Sequence, residues 1–142
     1  MAIEKTVRFL NIDLVIGGRF DRAPLVRAFG DEVFALDERA PIDGVECLII
    51  ELNKPNLDLP ATLDRLVAWV KGLPRPAKRA WSNAARRVFD IGVLAGSGPN
   101  DTSWTISPEH VAAIAQLDAE IMLTVYGAER RRSGGARRKR AR

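Results

Sequence analysis

The chain is 142 residues long, 46% of them hydrophobic, with a formal net charge of +4, which fits one globular domain and is too short for two ordinary ones. Its single cysteine, Cys47, excludes an intrachain disulfide and favours a reducing compartment. No apolar run approaches the roughly 18–20 residues of a membrane span, and the charged first segment is unlike a secretory signal, so we expect a cytoplasmic protein without membrane contact.

Hydrophobic periodicity predicts a strand, a short helix and two more strands in the first part of the chain. The first strand, VRFLNIDLVIGG, has apolar residues on one face and Asn11 and Asp13 on the other. A short helix in DRAPLVRAFGD, a strand in EVFALD, a turn in ERAPIDG and a strand in VECLIIEL follow. Because this third strand is apolar on both faces, we expect it to lie centrally in a sheet and to be well covered.

Two helices, a strand, a helix and a final strand are predicted in the second part of the chain. Asp58 is the expected N-cap of the first helix, which the GLPRP segment ends, and PAKRAWSNAARR forms the second. VFDIGVLAG is the fourth strand, Ser107 caps the helix SPEHVAAIAQL, and AEIMLTVY is the last strand. We expect one domain over residues 1–127 and disorder over the basic residues 128–142.

The segments RFLNIDLVIGG and RVFDIGVLAG have the same strand phase, and their alignment places Asn11 beside Asp90. An internal β-α-β duplication explains this similarity, and so does the pattern that any two β-α-β units share, so both explanations stay open. Either way, the order of elements predicts an α+β fold. We expect a two-layer sandwich of ferredoxin-like kind, with a mainly antiparallel five-stranded sheet and helices on one face.

Three segments carry a family resemblance: LDRLVAWVKGLPRPAKRAW, FDIGVLAG and ISPEHVAAIAQLDAEIMLTVYG. Over residues 6–127 the chain resembles a family of small bacterial domains of unknown function, family four-two-seven-nine, whose members end in a capped helix and a strand closing on Tyr, here Tyr126. The chain departs from that pattern between the second and third strands, where the Pro-containing segment and Trp are missing. The resemblance implies no catalytic residue, and it suggests a binding or immunity-type protein.

Basic residues are concentrated in two segments. Residues 65–87 carry seven bases and no acid, and residues 128–142 carry eight bases and one acid, whereas residues 1–64 and 88–127 each have a net charge of −5. Such clusters can neutralise phosphates in a salt-dependent, sequence-independent way, or they can be ordinary solvated surface. The candidate contacts to a polyanion or a partner are Arg75, Lys78, Arg79, Arg86, Arg130, Arg131, Arg132, Arg137, Arg138, Lys139 and Arg140.

Polar residues on two strands form a second candidate site. Asn11, Asp13 and Asp90 point away from the apolar side of their strands, and they cluster if these strands are neighbours. Paired carboxylates can perform acid–base chemistry or hold a hard cation. The alternative is a polar sheet face exposed to solvent.

The remaining candidates are isolated residues. Trp104 is either a binding aromatic or packs under its loop, and Trp81 lies on an apolar helical stripe and is expected in the core. His110, the only histidine, is expected to be exposed, and Cys47 to be buried and inert. We therefore expect neither a metal nor a cofactor.

The sequence favours a non-catalytic module that binds another macromolecule, most plausibly a protein, in an immunity-like role. The alternative is a nucleic-acid-associated protein that acts through residues 128–142 and the helices of residues 65–87. An enzyme that uses Asp13 and Asp90 ranks last, because no nucleophile–base pair is evident.

Overall fold

The computed structural model describes residues 6–54, 56–98 and 100–127. Its strands are β1 (Arg8–Gly17), β2 (Val33–Ile42), β3 (Val45–Leu52), β4 (Arg86–Leu94) and β5 (Glu120–Tyr126). Its helices are α1 (Ala23–Arg27), α2 (Leu59–Lys71), α3 (Arg75–Asn83) and α4 (Pro108–Gln116). The predicted tail, residues 128–142, lies outside the described residues. In the described part of the chain, no helix is long and apolar enough to cross a membrane.

The strands form one five-stranded sheet in the order β2-β3-β1-β4-β5. Every neighbouring pair is antiparallel except β4 and β5, which are parallel because the chain returns to the sheet through α4 between them. The expected α+β class with a mostly antiparallel sheet is confirmed, and the parallel pair makes the sheet mixed. The doubly apolar β3 lies inside the sheet, but the central strand is β1.

One face of the sheet carries the helices and the main core. Ile12, Leu14 and Ile16 of β1 pack there with Phe89 of β4 and with residues from all four helices. The predicted caps of α2 and α4 are confirmed, since the Asp58 side chain accepts a 2.9 Å hydrogen bond from the Ala61 N–H, and Ser107 caps α4.

Trp81 anchors α3 in this core. Its side chain is 5% exposed, as the apolar stripe predicted, and its indole N–H donates to the Leu117 carbonyl at 2.9 Å. The helix ends at Asn83, earlier than predicted, so Arg86 belongs to β4 and does not continue the basic stripe of α3.

The second strand is longer than predicted. The expected ERAPIDG turn is reduced to Asp43 and Gly44, whose φ angles are 51° and 80°, and Pro41 stays within β2. Two residues with positive φ make the tight hairpin that suits the twist of paired strands. Proline is tolerated at this position because β2 is an edge strand.

The other face of the sheet carries a small second cluster. Val15, Ala40, Cys47, Ile49 and Val88 are all buried there. No helix of the described residues packs on this side, which is called the open face below.

Candidate functional site

A groove with a volume of about 650 Å³ lies on the open face. Its floor includes Val15, Cys47 and Val88 from three neighbouring strands. One wall is the tip of the β2–β3 hairpin, residues 42–45, and the other is formed by alternate side chains of β5. The groove thus exists because the hairpin tip and the last strand stand on either side of this floor. The β5 side chains in it are Glu120, Met122, Thr124 and Tyr126.

A pair of buried carboxylates lies on the open face beside this floor. Asp13 and Asp90 are register partners on β1 and β4, and each is 2% exposed. The predicted clustering of these two residues is therefore found, but the alternative of a solvent-exposed polar face is wrong for both. Opposed residues of an antiparallel pair have Cβ atoms about 4.5–5.5 Å apart, so the two carboxylates stand close together.

Asp90 is the member of this pair that lines the groove. The Thr124 hydroxyl on β5 donates a 2.6 Å hydrogen bond to its Oδ1 atom. A hydrogen bond to a charged acceptor is among the stronger kinds, and it ties the wall of the groove to its floor.

Asn11, the third predicted residue, lies further along the same face of β1. Its register partner is Gly92, whereas Asp90 is the register partner of Asp13. The Asn11 amide donates to Glu51 at 2.8 Å. The half-buried Asn11 therefore holds β1 to β3 rather than joining the carboxylate pair.

An ion pair closes one end of the groove. Arg86 donates two hydrogen bonds of 3.0 Å to the carboxylate of Glu120. These hydrogen bonds lower the pKa of Glu120 and raise that of Arg86. Of the predicted basic contacts, Arg86 is thus engaged within the fold.

The other predicted basic contacts lie elsewhere. Arg75, Lys78 and Arg79 are exposed on α3, on the helical side of the sheet. The others fall outside the described residues: Arg130, Arg131, Arg132, Arg137, Arg138, Lys139 and Arg140. The structure therefore does not gather the basic residues of α3 around the groove.

The isolated candidates differ in outcome. Cys47 is 5% exposed, as predicted, and Trp104 is 38% exposed, so its loop packs it only in part. The expectation that His110 is exposed is wrong: its side chain is 16% exposed, and its Nε2 atom lies 2.6 Å from Asp64 Oδ1 of α2. Since Asp64 is distant in sequence, local spacing does not reveal this contact. Across residues 6–54, 56–98 and 100–127, no three potential metal ligands cluster.

Sequence reasoning missed the β5 wall of the groove. Glu120, Thr124 and Tyr126 alternate with apolar residues, which is the period of a strand with one polar face. This alternation predicts the polar face of β5. The register with β4 places that face beside Asp90.

Comparisons of the chain with protein-family models, with curated proteins and with solved structures find no match. An apolar floor with carboxylates beside it can receive a long side chain that is apolar along its stem and cationic at its tip.

Proposed function

We propose that the chain is a non-catalytic protein-binding module whose groove receives a cationic, partly apolar segment of a partner protein. The observation that carries this proposal is the combination of an apolar floor with acidic groups at two places, Asp90 below and Asp43 on the hairpin tip. Lysine and arginine bury their stems along apolar surface and direct their charge to such groups.

The charges of the groove favour a cation over an anion. Among the described residues that line it, Arg86 is the one basic side chain, and Glu120 already holds it. Asp90 and Asp43 are the other acidic side chains that line the groove, and Asp13 lies opposite Asp90 in the sheet. A basic segment would gain complementary charge here, whereas a phosphate backbone would meet repulsion.

The positions of Cys47 and His110 support a binding role over catalysis. Cys47 lies on the open face, and His110 sits on α4 above the helical face, against Asp64. The sheet separates them, so they do not form a nucleophile–base pair.

We further propose that the first four strands are a ferredoxin-like unit to which α4 and β5 are added. The element order through β4 is β-α-β-β-α-β apart from the extra helix α3, which supports this assignment. An internal duplication, membership in the bacterial family four-two-seven-nine, an immunity-like role and a cytoplasmic location remain parts of the same proposal. The sequence patterns given above support them.

Binding of a defined peptide tests the proposed function. The probe is a fluorescently labelled peptide of alternating lysine and valine, and its control alternates glutamate and valine. Fluorescence anisotropy should report binding of the basic peptide only, weakening as salt is raised. Met122→Lys, in the groove wall, should weaken binding at least about tenfold through like-charge repulsion. Val111→Lys, an exposed valine on α4, is the matched control and should have no effect.

Equal binding of both peptides, or binding that Met122→Lys leaves unchanged, would contradict a cation-binding groove. A titration with random RNA tests the alternative function, that of a nucleic-acid-associated protein. Salt-sensitive RNA binding that is lost on neutralising Arg75, Lys78 and Arg79 would favour a nucleic-acid-associated protein.

A further inference from the structure

The two edge strands of the sheet differ in how they are protected. The β2 edge carries Asp37, Glu38, Arg39 and Pro41, and its register with β3 shifts twice. Charges, proline and irregular register are the features that prevent an edge from pairing with another chain. In β5, by contrast, residues 121–126 include no charge and no proline, and the register with β4 is unbroken. By these criteria, the outer edge of β5 lacks the features that prevent pairing with another strand.

The main chain of β5 is oriented for such pairing. The Ala95 N–H donates to the Tyr126 carbonyl at 2.8 Å, so the peptide groups of the even-numbered residues in β5 face β4. Because successive residues of a strand direct their peptide groups to opposite sides, those of Ile121, Leu123 and Val125 face outward. No strand of the described residues lies beyond them.

The side chains of the same three residues form an apolar row. Leu123 is 63% exposed, Val125 58% and Ile121 40%, although they lie on the helical side of the sheet. On the neighbouring α4, Val111 is exposed as well, at 47%.

We propose that a second copy of this chain occupies the edge, with β5 pairing antiparallel to β5 about a two-fold axis through Leu123. This register pairs all seven residues of the strand: Leu123 opposes itself, and Ile121 opposes the partner's Val125. The outward peptide groups of these residues then form hydrogen-bonded pairs, and the two sheets become one.

The charges at the ends of β5 favour this antiparallel arrangement of two copies. Glu120 opposes the partner's Tyr126, so the two glutamates lie at opposite ends of the paired strands. Residues 128–142, with a net charge of +7, begin two residues after Tyr126. The two Tyr126 residues, which residues 128–142 follow in the sequence, therefore lie at opposite ends of the paired strands, whereas a parallel pair would bring them to the same end.

Dimerisation would also extend the groove. Met122, Thr124 and Tyr126 form its outer wall in one copy, and the same residues of the partner subunit continue that wall on the same face. The two grooves thus adjoin across the two-fold axis. The dimer does not depend on the proposed peptide binding, because the pairing row and the groove lie on opposite faces of β5.

Sedimentation equilibrium of the full chain tests the dimer. Leu123→Lys places two like charges opposite each other at the axis and should raise the dimer dissociation constant at least about tenfold. Leu36→Lys is the matched control, because Leu36 is an exposed leucine (46%) on the other edge strand, β2. This variant should leave dimerisation unchanged. Circular dichroism verifies that both variants are folded.

Paired substitutions and a cross-link test the proposed register between the two β5 strands. Val125→Lys alone should weaken the dimer, and the double variant Ile121→Glu with Val125→Lys should restore it, because the two positions oppose each other across the axis. Leu123→Cys should form an intermolecular disulfide under mild oxidation, whereas Leu36→Cys should not. The wild-type chain is the control for Cys47, which is buried.

A wild-type chain that stays monomeric at high concentration would overturn the inference. So would a dimer that resists Leu123→Lys but is lost with Leu36→Lys, because that result assigns the interface to β2. Peptide titration of the Leu123→Lys monomer separates this proposal from the proposed function, since the groove is intact in that variant.

Discussion

Asp13 and Asp90 lie directly opposite each other on β1 and β4, and both are almost inaccessible to solvent. Like charges at opposed positions of a sheet are destabilising. Asp13→Asn keeps the shape and removes one charge, so we expect it to stabilise the fold by about 1 kcal/mol at neutral pH. The same change should weaken binding of the lysine–valine peptide, because it removes negative charge beside Asp90.

Urea denaturation and anisotropy measure these two effects on the same protein. Asp37→Asn, at an exposed position of β2, is the control and should change neither quantity. If Asp13→Asn instead lowers the free energy of unfolding, the Asp13 carboxyl group stabilises the fold as a hydrogen-bond acceptor. The destabilising repulsion expected between Asp13 and Asp90 is then wrong.

The hydroxyl of Thr124 stabilises the carboxylate of Asp90. Thr124→Val is nearly isosteric but removes this 2.6 Å donor, so we expect a loss of about 1–3 kcal/mol in the free energy of unfolding. Thr124→Ser retains the hydroxyl and should lose less. Thermal and urea unfolding of both variants check the order, and equal losses would show that packing of the methyl group, not the hydrogen bond, matters at this position.

Two exposed ion pairs make the free energy of unfolding sensitive to acid pH. Hydrogen bonds from Arg65 to Glu32 and from Arg86 to Glu120 lower the pKa of each carboxyl below its ordinary value of 4.5. Because the folded-state pKa is the lower one, this stabilisation is complete above about pH 4.5 and is lost as the pH falls through the folded-state pKa. Both pairs face solvent, so screening by water and salt keeps the contribution of each pair small.

Glu120→Gln isolates one of these contributions. Its free energy of unfolding should decline less than that of the wild type on acidification below pH 4.5, and the difference should shrink in high salt. Glu38→Gln, at an exposed glutamate on β2, is the control and should follow the wild-type curve. Parallel curves for wild type and Glu120→Gln would mean that the ion pair adds no stability.

The basic residues 128–142 should compete with any cationic ligand of the groove. They carry a net charge of +7 and follow Tyr126, which lines the groove, by two residues. A chain ending at residue 127 should therefore bind the lysine–valine peptide more tightly than the full chain, most clearly at low salt. Equal affinities in anisotropy titrations would exclude this competition.

Local sequence patterns predict the elements well and the cross-strand contacts poorly. Period-2 alternation placed Asp13 and Asp90 on the polar sides of their strands, because the direction of a side chain depends only on its own strand. Their pairing depends on the register between distant segments, which the pattern within each strand does not contain. For the same reason, the sequence did not predict the contact between His110 and Asp64, which joins two helices.

Arg22 shows another limit of sequence reasoning. Its side chain is buried, and it donates to four backbone carbonyls, those of Gly18, Phe20, Glu38 and Glu46. An arginine in a short segment is usually a surface residue, so composition gave no reason to single it out. Its role arises because the end of β1, the middle of β2 and the start of β3 lie together beside α1, an arrangement that exists only in the folded chain.

Gly18 fixes the end of β1 where the chain turns away from the groove. Its φ angle is 109°, and a Cβ atom there would lie 2.7 Å from the Ala85 Cβ and 3.0 Å from the Ala85 nitrogen. The Ala85 N–H donates to the Gly17 carbonyl at 2.9 Å, so the backbone before Arg86 has little freedom to move.

Gly18→Ala therefore combines backbone strain with a steric clash and should cost about 2–4 kcal/mol in the free energy of unfolding. Gly30→Ala is the matched control: its φ of 56° is also positive, but no atom lies within 4 Å of the added Cβ. Strain alone should cost about 1–2 kcal/mol there. Urea denaturation of both variants gives the difference, which measures the contact with Ala85. Equal costs would mean that the β4 end shifts freely, and the position of Arg86 at the groove would then be adjustable.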